Sequence, residues 1–258
     1  MSELGSALGV GVAIATSLFA GAIAGAWLHL PPRLSATITA FGGGILLAAV
    51  ALDLVPEADH QAGTVLTALG LTVGTLVFVG ADALLTRDES SEMMRRSASA
   101  AAVGMEMTRV EASPDKAEEA RGESIAAGIF VDGVPESIAL GLTVAQGEIG
   151  LALLVGVFVG NLTEAYGATQ PIVASGRSRR FATGLLGGIS LALAGATVLG
   201  GTVLAGASPE FVGTAQAVAA GAVLAVISIS ITPYAFSEVS RLAAVASVAG
   251  FVGGYLLS

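Results

Sequence analysis

Eight apolar runs dominate the chain: Leu4–Leu30, Leu34–Pro56, Thr64–Leu85, Glu123–Gln146, Ile149–Val173, Phe181–Ala205, Phe211–Ser237 and Leu242–Leu257. Crossing ~30 Å of hydrocarbon takes about 20 helical residues, and most of these runs meet that length. Within hydrocarbon every backbone N–H and C=O must be satisfied inside its own segment, so such runs fold as helices. The sequence therefore predicts an all-α integral membrane protein of eight transmembrane helices. Composition agrees: 12% of the residues are charged, against about 25% in soluble domains. The 35 glycines suit helices that approach closely in a bilayer.

The basic residues test the helix count. Arg33 lies between runs 1 and 2. Arg87, Arg95, Arg96, Arg109, Lys116 and Arg121 lie between runs 3 and 4. Arg177, Arg179 and Arg180 lie between runs 5 and 6, and Arg241 between 7 and 8. All 11 fall on one side if the chain crosses eight times, whereas a miscount would scatter them. The positive-inside rule then puts both termini outside a cell membrane, plasma or inner, and the long connection 87–122 in the cytoplasm. That connection lacks apolar periodicity and reads as a mobile loop. Its Met93, Met94, Met105 and Met107 could donate to a soft metal, but without Cys or His they read as part of a linker. The whole chain, 1–258, is one transmembrane domain: helices 1–3 over about 4–85, helices 4–5 over about 123–173, and helices 6–8 over about 181–257.

Run 4 carries acids where a membrane helix has no ordinary use for them. Asp132 and Glu136 are four apart and share a helix face. Pro135 between them has no N–H for the carbonyl of Val131. Run 5 carries Asn161 and Glu164, three apart and again on one face. No lysine or arginine occurs between residues 122 and 176 to neutralise the acids. Ionisable groups at membrane depth ordinarily mark an ion path, so these residues form a candidate oxygen-lined cation site. The plainer readings are protonated structural acids and, for Asn161, an amide that glues helices. Asp53 and Glu57, at one end of run 2, serve equally as a point of ion access or as solvated acids. Asp82 reads as a helix-end partner of Arg87. His60 reads as a solvated loop residue, and His29 has no evident partner.

Two stretches resemble one another. Gly44-Ile-Leu-Leu-Ala-Ala-Val-Ala-Leu-Asp-Leu-Val-Pro56 and Gly221-Ala-Val-Leu-Ala-Val-Ile-Ser-Ile-Ser-Ile-Thr-Pro233 both place glycine and proline twelve residues apart, in runs of opposite direction. Glu136 and Glu164 occupy similar frames on runs 4 and 5. Inverted repeats around a central pair are a transporter pattern.

These residues resemble the ZIP (Zrt/Irt-like) family of divalent-metal transporters. The family's His-Asn-x-Pro-Glu-Gly in helix 4 corresponds to Asp132-Gly133-Val134-Pro135-Glu136-Ser137. Its His/Gln-Asn/Asp-x-Pro-Glu-Gly in helix 5 corresponds to Gly160-Asn161-Leu162-Thr163-Glu164-Ala165. Helix 2 is similar at Gly44 to Ala58, helix 3 at Gly80 to Leu85, and helix 7 at Ala220 to Leu224. The resemblance spans nearly the whole chain and implies a 3+2+3 inverted-repeat bundle. Metal would move toward the cytoplasm between helices 4 and 5 while the two three-helix repeats rock about them.

The departures carry chemical weight. Both motif histidines are replaced, by Asp132 and Gly160. The helix 4 asparagine is Gly133 and the helix 5 proline is Thr163. A helix 6 glutamate that bridges metals in some members corresponds to Thr197, and the loop has no histidine run. What remains is Asp132, Glu136, Asn161 and Glu164. The resemblance thus implies one hard site in place of a mixed binuclear one, better matched to Mn²⁺, Fe²⁺ or Mg²⁺ than to Zn²⁺. The alternative is a non-transporting relative, a membrane scaffold or sensor. The chain has no cysteine and shows no nucleophile–base pair, phosphate loop or HExxH pair, so it does not read as an enzyme. The expected partners are a divalent metal cation (zinc, manganese or iron) as transported substrate, and the lipid bilayer. No prosthetic group is implied, and no nucleic acid for a chain of net charge −9. A homodimer stays open.

Overall fold

The computed structural model describes residues 3–28, 30–85, 114–147, 150–174, 176–203 and 206–258. Among them lie eight helices: α1 (Glu3–Trp27), α2 (Pro32–Ala62), α3 (Thr64–Leu85), α4 (Pro114–Ala145), α5 (Leu151–Ala174), α6 (Arg179–Val203), α7 (Pro209–Val239) and α8 (Arg241–Leu257). Stretches within α1 to α7 are long and apolar enough to cross a membrane, while α8 is apolar but only 17 residues long. Among the described residues every element is a helix, and the chain is a multi-pass membrane protein. Val65, Leu76 and Val77 of α3, Leu191 and Leu199 of α6, and Val245 and Val248 of α8 point outward. Apolar surface on that scale is stable against lipid, not water.

Two boundaries differ from those expected of the sequence. The helix expected to stop at Pro56 continues to Ala62, because both long helices relax into one π-turn, Val50–Leu54 in α2 and Ile227–Ile231 in α7. Within that turn hydrogen bonding slips by one residue: Val55 N–H bonds Val50 O and Thr232 N–H bonds Ile227 O. A proline just beyond the slip, Pro56 or Pro233, removes a donor the slipped ladder does not need. Residues Glu57 to Ala62 are therefore helix, and Gly63, at φ 79, is the whole connection to α3. The long connection is also shorter than expected. Residues 114–122 extend α4 backward, starting at Pro114 with Asp115 close behind, as suits a helix N-terminus. Arg87, Arg95, Arg96, Arg109, Met93, Met94, Met105 and Met107 lie outside the described residues, as does His29.

Glycines set the packing. A Cβ on Gly44 would land on the carbonyl of Ser247, and one on Gly250 on that of Phe41, so α2 and α8 lie backbone to backbone and parallel. A Cβ on Gly221 would land on the carbonyl of Leu71, and one on Gly74 on that of Val218, so α3 and α7 do the same. The positions correspond: 221 and 218 follow 44 and 41 by 177, and 250 and 247 follow 74 and 71 by 176. The two π-turns also begin 177 positions apart. Gly43 meets Ile231 while Gly213 meets Ala58 and Gln61, so α2 and α7 run antiparallel.

The principal neighbours are α1 with α5 and α6, α4 with α5 and α6, α2 with α7 and α8, and α3 with α7. The bundle thus divides into α1, α4, α5, α6 and α2, α3, α7, α8, joined mainly where α2 meets α5 and α4 meets α7. Helices α1 to α3 do not pack as one body, so the expected rocking of two three-helix units has no counterpart in these contacts.

Candidate cation site

In α4, Asp132 and Glu136 stand one turn apart, with Pro135 inside the helix between them. Glu136 is 2% exposed, while Asp132 is half-buried. In α5, Asn161 is fully buried and Glu164 half-buried. The face of α5 opposite α4 is accounted for: Leu162, Ala165 and Tyr166 pack on Gly21 and Gly25 of α1. Helical spacing therefore turns Asn161 and Glu164 toward α4. Glu136 is close enough to Glu164, and next to Asp132, for both carboxylates to act on it electrostatically. The structure so gathers the predicted acids around Glu136. Among the described residues it does not draw any three His, Cys, Asp or Glu side chains into a metal-holding group.

Asn161 is the telling neighbour. Both its Oδ1 and its Nδ2 are buried without a hydrogen-bond partner. A buried amide usually finds partners, and leaving a polar group unpaired costs about 1–3 kcal/mol. An amide serving only as interhelical glue would be bonded across an interface. Ser137, fully buried on the α6 side of Glu136, also has an unpartnered hydroxyl.

The positions that differ from the ZIP motifs the sequence resembles have definite surroundings. A Cβ on Gly133 would strike Leu193 Cδ1 and lie 3.2 Å from its Cδ2, so Leu193 of α6 fills the space an asparagine would use. Thr197 is fully buried, and its hydroxyl donates to the carbonyl of Leu193 at 3.2 Å. Gly160 differs, for a Cβ there would meet Leu46 Cδ1 at an ordinary 3.8 Å. Thr163 donates to the carbonyls of Val159 and Gly160 at 3.0 and 2.9 Å.

Away from the site, Asp53 accepts a hydrogen bond from Ser258 at 3.3 Å and Glu57 one from Gln61 at 2.6 Å. His60 is exposed on the last turns of α2, and Asp82 sits near the end of α3. Two features have no signature in the sequence: the π-turns, and a bond from Gln146, just past α4, to Gln216 of α7. Each glutamine is one amide in an apolar run, and nothing in a sequence pairs residues 70 positions apart. No protein-family model and no curated protein matches the chain.

Proposed function

We propose that the chain is a ZIP-like transporter of a divalent cation, with Glu136 and Glu164 as its charged ligands, Asn161 as a neutral oxygen donor, and Asp132 one turn along the same face. The observation that carries this reading is the buried Glu136, with two further carboxylates in electrostatic reach and an unpartnered, fully buried amide on the facing helix. Like charges gathered away from water repel, and residues 122–176 contain no lysine or arginine. A cation offsets that repulsion, and it also supplies the partner that Asn161 Oδ1 lacks. The donors are all oxygen, which favours a hard ion such as Mn²⁺, Fe²⁺ or Mg²⁺ over Zn²⁺. The space beside Gly133 is closed by Leu193 and Thr197 bonds its own helix, which supports one ion over two.

We also propose that α8 is an eighth span and that the bundle is a 3+2+3 inverted repeat, α1–α3 related to α6–α8 and α4 to α5. The matched π-turns and the four matched glycine–carbonyl approaches support it. So does the contact pattern: exchanging α1 with α6, α2 with α7, α3 with α8 and α4 with α5 turns each principal neighbour pair into itself or into another. The one-sided arginine distribution supports both termini lying outside a cell membrane and the long connection in the cytoplasm.

The deciding experiment is uptake into proteoliposomes, tested separately with Mn²⁺, Fe²⁺, Zn²⁺ and Mg²⁺. Uptake by the wild type that Glu164→Gln abolishes at equal protein level supports the reading. No uptake of any of the four ions points to the scaffold or sensor.

A further inference from the structure

The face of α4 that carries Asp132 and Glu136 continues, at spacings of three and four, through Ala139 and Thr143 to Gln146, the last residue before the turn at Gly147. Ala139 and Thr143 are buried. At its end Gln146 Nε2 donates to Gln216 Oε1 at 2.8 Å, and Gln216 is 1% exposed. This bond joins α4 to α7, and so joins the two four-helix groups of the bundle.

A second amide lies next to it. Gln61 of α2 sits against Gly213, one turn before Gln216 on α7. Its Nε2 donates to Glu57 Oε1 at 2.6 Å, which fixes the amide's orientation and leaves Gln61 Oε1 buried without a partner. Gln146, Gln216 and Gln61 thus bring three amides to this end of the bundle, the first of them on the α4 face that leads to Glu136. Apolar side chains could have filled the same space. The opposite end is built differently: the frames matching Gln216 and Gln146 are Thr39 of α2 and Ala174 of α5, and the Thr39 hydroxyl donates within its own helix, to Ser35, at 3.0 Å.

We propose that the Gln146–Gln216 bond is a clasp that closes the path between Glu136 and this end of the bundle, and that it parts to admit a hydrated cation. A hydrogen bond between two neutral amides has a modest net strength, so it can hold a closed state and still release it. Once parted, Gln216 Oε1, Gln146 Oε1 and Gln61 Oε1 offer neutral oxygens to an ion shedding water on its way to the carboxylates. The inference rests on the proposed cation path, but its test needs no transport.

The chain has no cysteine, so a single Ala139→Cys, fully buried and three residues from Glu136, reports access to the path. The full-length protein is reconstituted in vesicles, and a membrane-impermeant thiol reagent is added outside. The parent Ala139→Cys is expected to label slowly. Adding Gln146→Glu and Gln216→Glu together, near-identical in size but mutually repelling, should speed labelling roughly fivefold or more, from loss of a bond of ordinary strength. Gln146→Glu alone keeps an acceptor for the Gln216 amide N–H and should label like the parent. If the doubly charged variant fails to fold, Gln216→Leu, which removes the acceptor without adding charge, decides in its place and should also label faster. Unchanged labelling in the folded double variant, or in Gln216→Leu where it decides instead, overturns the clasp, as does a parent cysteine that already reacts like an exposed one. Because labelling is read without any ion, the clasp stands or falls by this experiment even if the chain transports nothing.

Discussion

Gly133→Asn, which puts an asparagine where the ZIP motif has one, tests how this chain closes the space beside the proposed site. A Cβ at 133 strikes Leu193 Cδ1, and Leu193 is fully buried in the core. Overpacking of this kind costs about 1–3 kcal/mol. The better helix propensity of Asn over Gly returns only about 0.3 kcal/mol. Leu193→Ala alone leaves a cavity and should cost about 2–5 kcal/mol. In the double variant the asparagine occupies that cavity, so the cost of Gly133→Asn should disappear, giving a coupling of about 1–3 kcal/mol in the double-mutant cycle. The assay is loss of helicity on titrating SDS into mixed micelles, for the wild type, both single variants and the double. If Gly133→Asn costs the same in both backgrounds, Leu193 does not occupy the missing side chain's place and the argument for a single ion loses its structural support.

Three further outcomes follow from the geometry. Glu164→Gln should lower uptake by roughly 10- to 100-fold or more, the loss typical even of partners outside a metal's direct ligands, and Asn161→Ala should lower it less; equal residual uptake at equal protein level would count against this site. Gly44→Ala and Gly221→Ala each push a Cβ into a backbone carbonyl of a neighbouring helix, so each should destabilise the bundle by a similar amount, about 1–3 kcal/mol; an SDS titration showing one of them neutral would argue against equivalent seams. Asp132→His should raise the ratio of Zn²⁺ to Mn²⁺ uptake in competition, since imidazole is the softer donor, and a constant ratio with uptake intact would remove Asp132 from the ion's surroundings.

Much of this architecture is legible in the sequence because membrane helices announce themselves by length and charge. Thr64–Leu85 is legible to the residue, since Gly63 and the end of the apolar run bracket it. The acids on α4 and α5 stand out because nothing basic accompanies them. The end of α2 is concealed for a physical reason. Proline ordinarily stops a helix by withholding an N–H, but a π-turn just before it re-phases the ladder so that the N–H is not missed, and no residue pattern marks such a turn in advance. The start of α4 is concealed because 114–122 is too polar for a membrane run, although Pro114 and Asp115 are ordinary first-turn residues. The Gln146–Gln216 bond has no local signal at all.

The proposed repeat and the proposed site explain one another. Symmetry brings a glutamate from each central helix, Glu136 and Glu164, into corresponding frames, and that alone gives two equivalent carboxylates. The chain departs from equivalence at the flanking positions. On α4 an acid, Asp132, stands where α5 has Gly160; on α5 an amide, Asn161, stands where α4 has Gly133. The two glycines are not equally open, for Leu193 blocks one while Leu46 leaves room beside the other. Asp132 and Asn161 thus stand beside the Glu136–Glu164 pair, and of the two glycine positions only the one at Gly133 is closed. An ion held in the proposed site would meet oxygen from both helices, and the closed space beside Gly133 favours one ion over two.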